Sequence, residues 1–103
     1  MRKNKITQAD FKKGEDELLG MVREAAKDRK HLLELLEDIL TPREYRDLVI
    51  RWILVKELVK GTPQREIAWK LGISFSRITR GSRALEKPAK GFDRALRRLG
   101  YIK

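Results

Sequence analysis

Hydrophobic residues recur along most of the chain at the three- and four-residue spacing of one helical face. A first long helix is predicted to begin at Thr7, whose side chain can cap it. Its apolar positions are Phe11, Leu18, Val22 and Ala25. A second apolar run, residues 32–40, predicts a shorter helix that ends before Thr41. No stretch shows the alternating pattern of a β-strand, so the fold class is predicted to be all-α.

The sequence Thr41-Pro42-Arg43-Glu44 predicts the start of a third helix, because a threonine cap, an early proline and a following glutamate occur together. This helix is expected to run to about Lys60, where Gly61 can adopt the left-handed conformation that ends it. Its apolar residues cover more than one face, so it needs apolar neighbours on several sides. A chain of 103 residues supplies few of them. The pattern therefore favours an intertwined homodimer, and an ordinary central core helix is the alternative.

Residues 63–86 have the spacing of a helix-turn-helix. Ala68 is small where the two helices would cross, Gly72 supplies the tight turn and Ser74 can cap the second helix. Four apolar residues would fix the angle between the helices: Ile67, Leu71, Ile73 and Ile78. A short final helix, with Phe92, Ala95, Leu96 and Leu99 on one face, would close the core.

Positive charge is concentrated in the second half of the chain. The whole sequence carries 25 Lys and Arg against 15 Asp and Glu, a net charge of +10. Residues 1–59 contain 13 basic and 12 acidic residues, whereas residues 60–103 contain 12 basic and 3 acidic ones. Such a one-ended field attracts polyanions, and Lys and Arg neutralise the phosphates of nucleic acids.

Composition also excludes several functions. The chain has no cysteine and one histidine, which argues against a zinc site, a Ser-His or Cys-His pair and enzymatic activity. We therefore expect neither a metal nor a cofactor. No apolar run approaches the roughly 18 residues of a membrane span, and the basic N-terminus is followed by polar residues. We expect a cytoplasmic protein without a membrane partner.

The second helix of the helix-turn-helix is expected to enter the major groove of double-stranded DNA. Its small, polar and basic side chains suit base edges and phosphates, and the first helix can add contacts from its N-terminal end. The predicted DNA-binding residues are Gln64, Arg65, Ser74, Phe75, Ser76, Arg77 and Thr79. The alternatives are a helical hairpin without a role in DNA binding, and a basic helical module that binds RNA or protein.

Three segments, Leu40-Thr41-Pro42, Gln64-Arg65-Glu66 and Ile78-Thr79-Arg80-Gly81-Ser82, resemble the Trp repressor family, with a likeness that covers about residues 32–87. The resemblance implies a single domain over residues 1–103, six helices and an intertwined homodimer. The dimer core would span about 7–60 and 88–103, and the helix-turn-helix about 63–86. The function implied is a sequence-specific repressor that binds operator DNA with L-tryptophan as corepressor. A regulator of the same fold that does not need tryptophan is the alternative.

The resemblance also implies a ligand site. The guanidinium groups of Arg51 and Arg80 would stack on the two faces of the indole ring. Thr41 and the main-chain carbonyls of Asp38 and Leu40 would hold the carboxylate and ammonium of the ligand. Gly81 would leave room beneath the ring.

Two positions depart from the family pattern. Ala84 stands where the family often has a serine that helps to bind the ligand, and Arg77 stands where it often has a threonine. These two differences concern the affinity for the ligand and the operator sequence that is recognised.

Overall fold

The computed structural model describes residues 5–86 and 90–103, and within these residues every regular element is a helix. The helices are α1 (Gln8–Ala25), α2 (Arg29–Ile39), α3 (Pro42–Lys60), α4 (Gln64–Leu71), α5 (Phe75–Glu86) and α6 (Lys90–Arg98). The all-helical prediction and the number of helices are confirmed. The chain forms two compact units, Met1–Tyr45 and Arg46–Lys103, which are described separately. None of the described helices is long and apolar enough to cross a membrane.

The predicted N-terminal caps are present at α1 and α3. The Thr7 side chain accepts a hydrogen bond from the Asp10 N–H at 3.0 Å. At α3 the Thr41 hydroxyl accepts from the Glu44 N–H at 3.1 Å, while the Thr41 N–H donates to the Glu44 carboxylate at 2.8 Å. This reciprocal pair is a capping box. The bond from the Thr41 N–H, reinforced by the Thr41 side chain, lowers the pKa of Glu44.

The end of α3 also follows the sequence prediction. Gly61 has φ +84°, a conformation that side chains with a Cβ rarely adopt. Its N–H donates to the Leu58 carbonyl at 3.0 Å, and the Thr62 N–H donates to the Glu57 carbonyl at 3.1 Å. Together these two bonds form a Schellman motif, which satisfies carbonyls that the helix itself leaves without donors.

The first unit buries little of its own apolar surface. Among its described residues Ala25 is buried. In α1 the side chain of Phe11 is 59% exposed and that of Leu19 is 60% exposed. The helix is amphipathic, as its spacing predicts, but its apolar side chains remain accessible in the protomer. An apolar face of this kind favours association with another surface.

The second unit has a core built where α3, α4 and α5 meet. Leu54 of α3, Ile67 of α4 and Ile78 of α5 form its buried centre. Half-buried residues pack around them: Leu58, Ala68, Leu71 and Ile73. The apolar contacts predicted for the helix-turn-helix are therefore confirmed.

The C-terminal part of the second unit also contacts α3. Leu96 of α6 is buried, and Trp52 of α3 meets Tyr101 edge to face with ring centroids 5.9 Å apart. Such aromatic pairs add stability beyond the area that they bury.

The capping box predicts the effect of substitutions at Thr41. Thr41→Ala should lower the free energy of unfolding by about 1 kcal/mol, because the Glu44 N–H loses its acceptor. Thr41→Ser keeps a hydroxyl in the same place and should retain most of that stability. Urea unfolding followed by circular dichroism measures both. Equal stabilities for the two variants would contradict a capping role.

Candidate functional site

A cavity of about 300 Å³ lies between α3, α5 and α6 within the second unit. This volume is at the lower end of the range for small-molecule pockets. The residues that line it are Arg51, Leu54, Val55, Arg77, Arg80, Gly81 and Phe92. Three guanidinium groups thus share the wall with apolar side chains and one aromatic ring. Such a lining suits a small ligand that has an aromatic body and an acidic group.

The cavity brings together three of the residues that the resemblance assigns to the ligand: Arg51 from α3, and Arg80 and Gly81 from α5. Arg51 and Arg80 are both exposed, so their guanidinium groups are accessible to a ligand from solvent. Phe92 also lines the cavity. From the sequence Phe92 is predicted to be a packing residue, because its place on an apolar helix face carries no signal for ligand binding.

Gly81 permits the close approach of α5 to α3. It is buried, and a Cβ at this position would lie 2.8 Å from Leu54 Cδ2 and 3.4 Å from Leu58 Cδ1. Leu54 is itself only 4% exposed, so its side chain has little space into which to move. The absence of a side chain at Gly81 is therefore needed for helix packing in addition to any space that it leaves for a ligand.

Arg77 lies between the cavity and an acidic residue of α3. Its Nη2 is 3.5 Å from Asp47 Oδ1, and both side chains are partly exposed. From the sequence Arg77 is predicted to contact DNA. The structure places it half-buried on the cavity wall, and its contact with DNA stays a prediction. The pair joins residues thirty positions apart, which leaves no local pattern by which to predict it.

The remaining predicted DNA-binding residues are all exposed: Gln64, Arg65, Ser74, Phe75, Ser76 and Thr79. Ser74 caps α5, as predicted, by accepting a hydrogen bond from the Arg77 N–H at 3.3 Å. Its hydroxyl lies 2.9 Å from that of Ser76, and the Thr79 hydroxyl donates to the Phe75 carbonyl at 2.9 Å. These hydroxyl oxygens can accept further bonds, so the start of α5 offers an accessible polar surface.

The turn between α4 and α5 fixes how that surface is presented. Gly72 has φ +63°, and its N–H and that of Ile73 both donate to the Ala68 carbonyl, the latter at 3.1 Å. The left-handed residue allows α4 to end and α5 to begin within three residues. The predicted functions of Ala68 and Gly72 agree with this geometry.

A buried carboxylate connects α3 with α4. Glu57 is 6% exposed, and its Oε1 accepts from the Lys70 ammonium at 2.8 Å while its Oε2 accepts from the Thr62 hydroxyl at 3.0 Å. The bond from Lys70 is the main cause, with that from Thr62 next, of a lowered pKa at Glu57. The same bond raises the pKa of Lys70. The contribution of this ion pair to stability is therefore complete between the ordinary pKa of a glutamate, 4.5, and that of a lysine, 10.5. It is lost as pH falls through the lowered pKa of Glu57 or rises through the raised pKa of Lys70.

The other predicted ligand-binding residues, Asp38, Leu40 and Thr41, belong to the first unit. Asp38 is in the last turn of α2, where helix carbonyls have no intrahelical donor. Leu40 follows that helix in an extended conformation, and its N–H donates to the Leu36 carbonyl at 2.9 Å. Their part in ligand binding stays a prediction. The side chain of Ala84 is outside the described part of the structure.

Among the described residues there is no group of three or more His, Cys, Asp or Glu side chains that could hold a metal ion.

The fold and the site together define an all-helical protein of the helix-turn-helix class, with an arginine-lined cavity beside the second helix of the motif.

Comparison with known sequences gives the family. The profile of the Trp repressor protein family matches residues 13–100. A Trp operon repressor homolog of Vibrio cholerae is 36% identical over 84 residues, 81% of either chain. A homolog with the same name from Chlamydia trachomatis is 42% identical over 65 residues, which cover 62% of this chain and 65% of the relative. Another from Xylella fastidiosa is 45% identical over 53 residues, which cover 50% of this chain and 58% of the relative. The chain belongs to the Trp repressor family, which is a family of regulatory proteins and not of enzymes.

The contact at Gly81 predicts a steric effect that does not depend on any ligand. Gly81→Ala should destabilise the protein by about 1–3 kcal/mol, because its Cβ overlaps Leu54 in a packed core. In a Leu54→Ala background the same change should cost less, since the obstructing atoms are gone. Thermal unfolding of the four proteins in the cycle, without ligand, measures the coupling. Additive effects would show that Gly81 is not required for this packing.

Proposed function

We propose that this protein is a homodimeric transcriptional repressor that binds operator DNA through α4 and α5, with L-tryptophan as corepressor. The observation that carries the proposal is the position of the cavity: it lies between α3 and the helix that presents the predicted DNA-binding residues. A ligand in that cavity contacts the core helix and the DNA-reading helix at once.

The support for DNA binding comes from the exposed start of α5. Phe75, Ser76 and Thr79 are accessible there, and Arg65 is exposed in the first turn of α4. In helix-turn-helix proteins the N-terminal residues of the second helix contact base edges, and the first helix crosses the sugar–phosphate backbone. The excess of basic residues after position 60 supplies affinity for phosphates that is independent of sequence.

The support for tryptophan comes from the two exposed arginines of the cavity. A planar guanidinium group stacks on an aromatic face, and Arg80 can also pair with a carboxylate. The carbonyls of Asp38 and Leu40 and the Thr41 hydroxyl are proposed to bind the polar groups of the amino acid. By joining Arg51 to Arg80, the ligand sets the angle of α5 relative to α3.

The support for a homodimer comes from the exposed apolar surface of the first unit. Phe11, Leu18, Leu19 and Met21 are all accessible in the protomer, although their helix is amphipathic. A second copy of the chain covers such a surface with an equivalent one. Two helix-turn-helix motifs then face major grooves one helical turn apart, about 34 Å along the DNA.

An electrophoretic mobility shift on the duplex DNA upstream of the protein's own gene tests the proposal. We expect L-tryptophan to strengthen binding by about 5- to 150-fold, and random duplex DNA to bind about 10³-fold more weakly. Arg51→Ala should remove the response to tryptophan but retain DNA binding, because Arg51 belongs to the ligand site, whereas Arg23→Ala in α1 serves as a charge-matched control.

The outcomes of that experiment separate the candidate functions. Tight, specific binding that does not respond to tryptophan would identify a regulator of the same fold without this corepressor. Stronger binding to single-stranded DNA or RNA than to any duplex would overturn the repressor function and favour the basic helical module. A response to tryptophan in Arg51→Ala equal to that of the wild type would remove Arg51 from the ligand site.

Arg65 is expected to read a base or to bind a phosphate. If it reads a base, Arg65→Ala should cost about 1–3 kcal/mol of binding free energy and relax specificity at one base pair. If it binds a phosphate, the loss should be uniform across sequences, with a shallower dependence on salt. Binding titrations against a set of single-base variants distinguish these results. Unchanged affinity and specificity would exclude Arg65 from the interface.

A further inference from the structure

The carboxylate of Glu57 joins three consecutive segments of the second unit. Its own position is in the last part of α3, Thr62 belongs to the connection that follows, and Lys70 is in the last turn of α4. Both carboxylate oxygens and the main-chain carbonyl of Glu57 accept hydrogen bonds from these segments. We call Glu57, Thr62 and Lys70 the α3–α4 latch.

The latch is separate from the cavity. Neither Glu57 nor Lys70 lines the cavity wall, whereas Arg51 does. Glu57 follows Arg51 by six positions, which places it about 9 Å further along the helix axis and about 120° around it. The helix-turn-helix therefore contacts α3 at the latch in addition to the buried core around Leu54. A ligand can bind in the cavity, whereas the contacts of the latch are complete within the chain.

Because Glu57 is buried, its hydrogen bonds restrict the position of α4 against α3. A charged carboxylate that is nearly excluded from water must find hydrogen-bond donors, because an unpaired charge there is costly. Lys70 and Thr62 supply these donors while α4 keeps its observed position against the end of α3. Displacing α4 separates the ammonium group from a carboxylate that has little access to water.

We propose that Glu57 and Lys70 are positioning residues that dock the helix-turn-helix on α3 in the absence of ligand. The proposal rests on the DNA-binding function proposed above. Because the first helix of the motif is already held, the ligand-free protein retains a substantial part of its affinity for DNA. The ligand then adjusts α5 and does not have to order the whole motif.

Two substitutions of opposite charge test the latch. Glu57→Gln removes a buried negative charge and raises the net charge, whereas Lys70→Met removes a positive charge and lowers it. If the latch positions α4, both variants should weaken binding by about fivefold or more to the duplex upstream of the gene, without L-tryptophan. If charge alone mattered, Glu57→Gln should instead strengthen binding to this polyanion. Binding by Glu57→Gln that is unchanged or stronger would overturn the proposal.

Two further variants serve as controls. Lys70→Arg keeps a cation within reach of Glu57 and should recover most of the affinity that Lys70→Met loses. Lys13→Met removes one positive charge from an exposed position of α1 and should have a much smaller effect than Lys70→Met. Equal losses in Lys13→Met and Lys70→Met would attribute the effect to net charge and contradict the latch.

Hydrogen exchange followed by mass spectrometry gives a readout that does not involve DNA. In Glu57→Gln and Lys70→Met, peptides from α4 should exchange faster while peptides from α6 keep their protection. Loss of DNA binding with unchanged exchange in α4 would indicate that Lys70 contacts DNA directly, and would overturn the positioning role. If the wild type binds no duplex DNA, the proposed function fails, whereas unchanged exchange in α4 is a failure of the latch itself.

Discussion

The second unit depends on the close packing of α5 against α3 at Gly81. Because this residue has no side chain, Leu54 can lie directly against the helix and join Ile67 and Ile78 in the buried core. The neighbouring positions on α5 are then fixed: Arg77 and Arg80 flank the contact and reach the cavity wall beside it. The cavity and the helix packing are thus two consequences of one steric condition. A larger residue at this point would move the helix and the arginines together.

The helices could be predicted almost completely from local patterns, because their ends are determined by residues close in sequence. Thr41 and Glu44 form a capping box three residues apart, and Gly61 and Gly72 end their helices through their own left-handed conformations. Each signal acts within one turn of helix, so it can be read without knowledge of the fold. The internal contacts of the helix-turn-helix were predictable for the same reason, since its two helices are separated by three residues.

The contacts between distant segments could not be predicted in this way. Glu57 meets Lys70 across thirteen positions, and Asp47 meets Arg77 across thirty. No periodicity links such residues, and a charged side chain in a helix is far more often solvated than buried. Glu57 carried no signal of its burial, because it lies among apolar residues in a helix whose several faces are all partly apolar. Only the folded packing of α4 against α3 makes it an interior group.

These ion pairs also change the meaning of the charge distribution. The sequence places most of the excess positive charge after residue 60, but Lys70 and Arg77 each pair with an acidic residue of α3, from the nearly neutral half. A cation that already has a carboxylate partner is a weaker ligand for phosphate, because the partner must be displaced or shared. Part of the basic excess therefore stabilises the position of the helix-turn-helix. The exposed arginines, such as Arg65 and Arg80, are the ones available to an external anion.

In the first unit, by contrast, many apolar side chains are accessible and few are buried. An isolated helix of 18 residues is marginal in water unless tertiary contacts cover its apolar face. Among the described residues of α1 few apolar side chains are covered in this way: Ala25 is buried, whereas Phe11, Leu18 and Met21 are accessible. A stable α1 thus needs a surface beyond its own unit. The proposed homodimer supplies such a surface. It also provides the paired helix-turn-helix motifs that a two-fold symmetric operator requires. One association would therefore account for both the stability of α1 and the spacing of the DNA contacts.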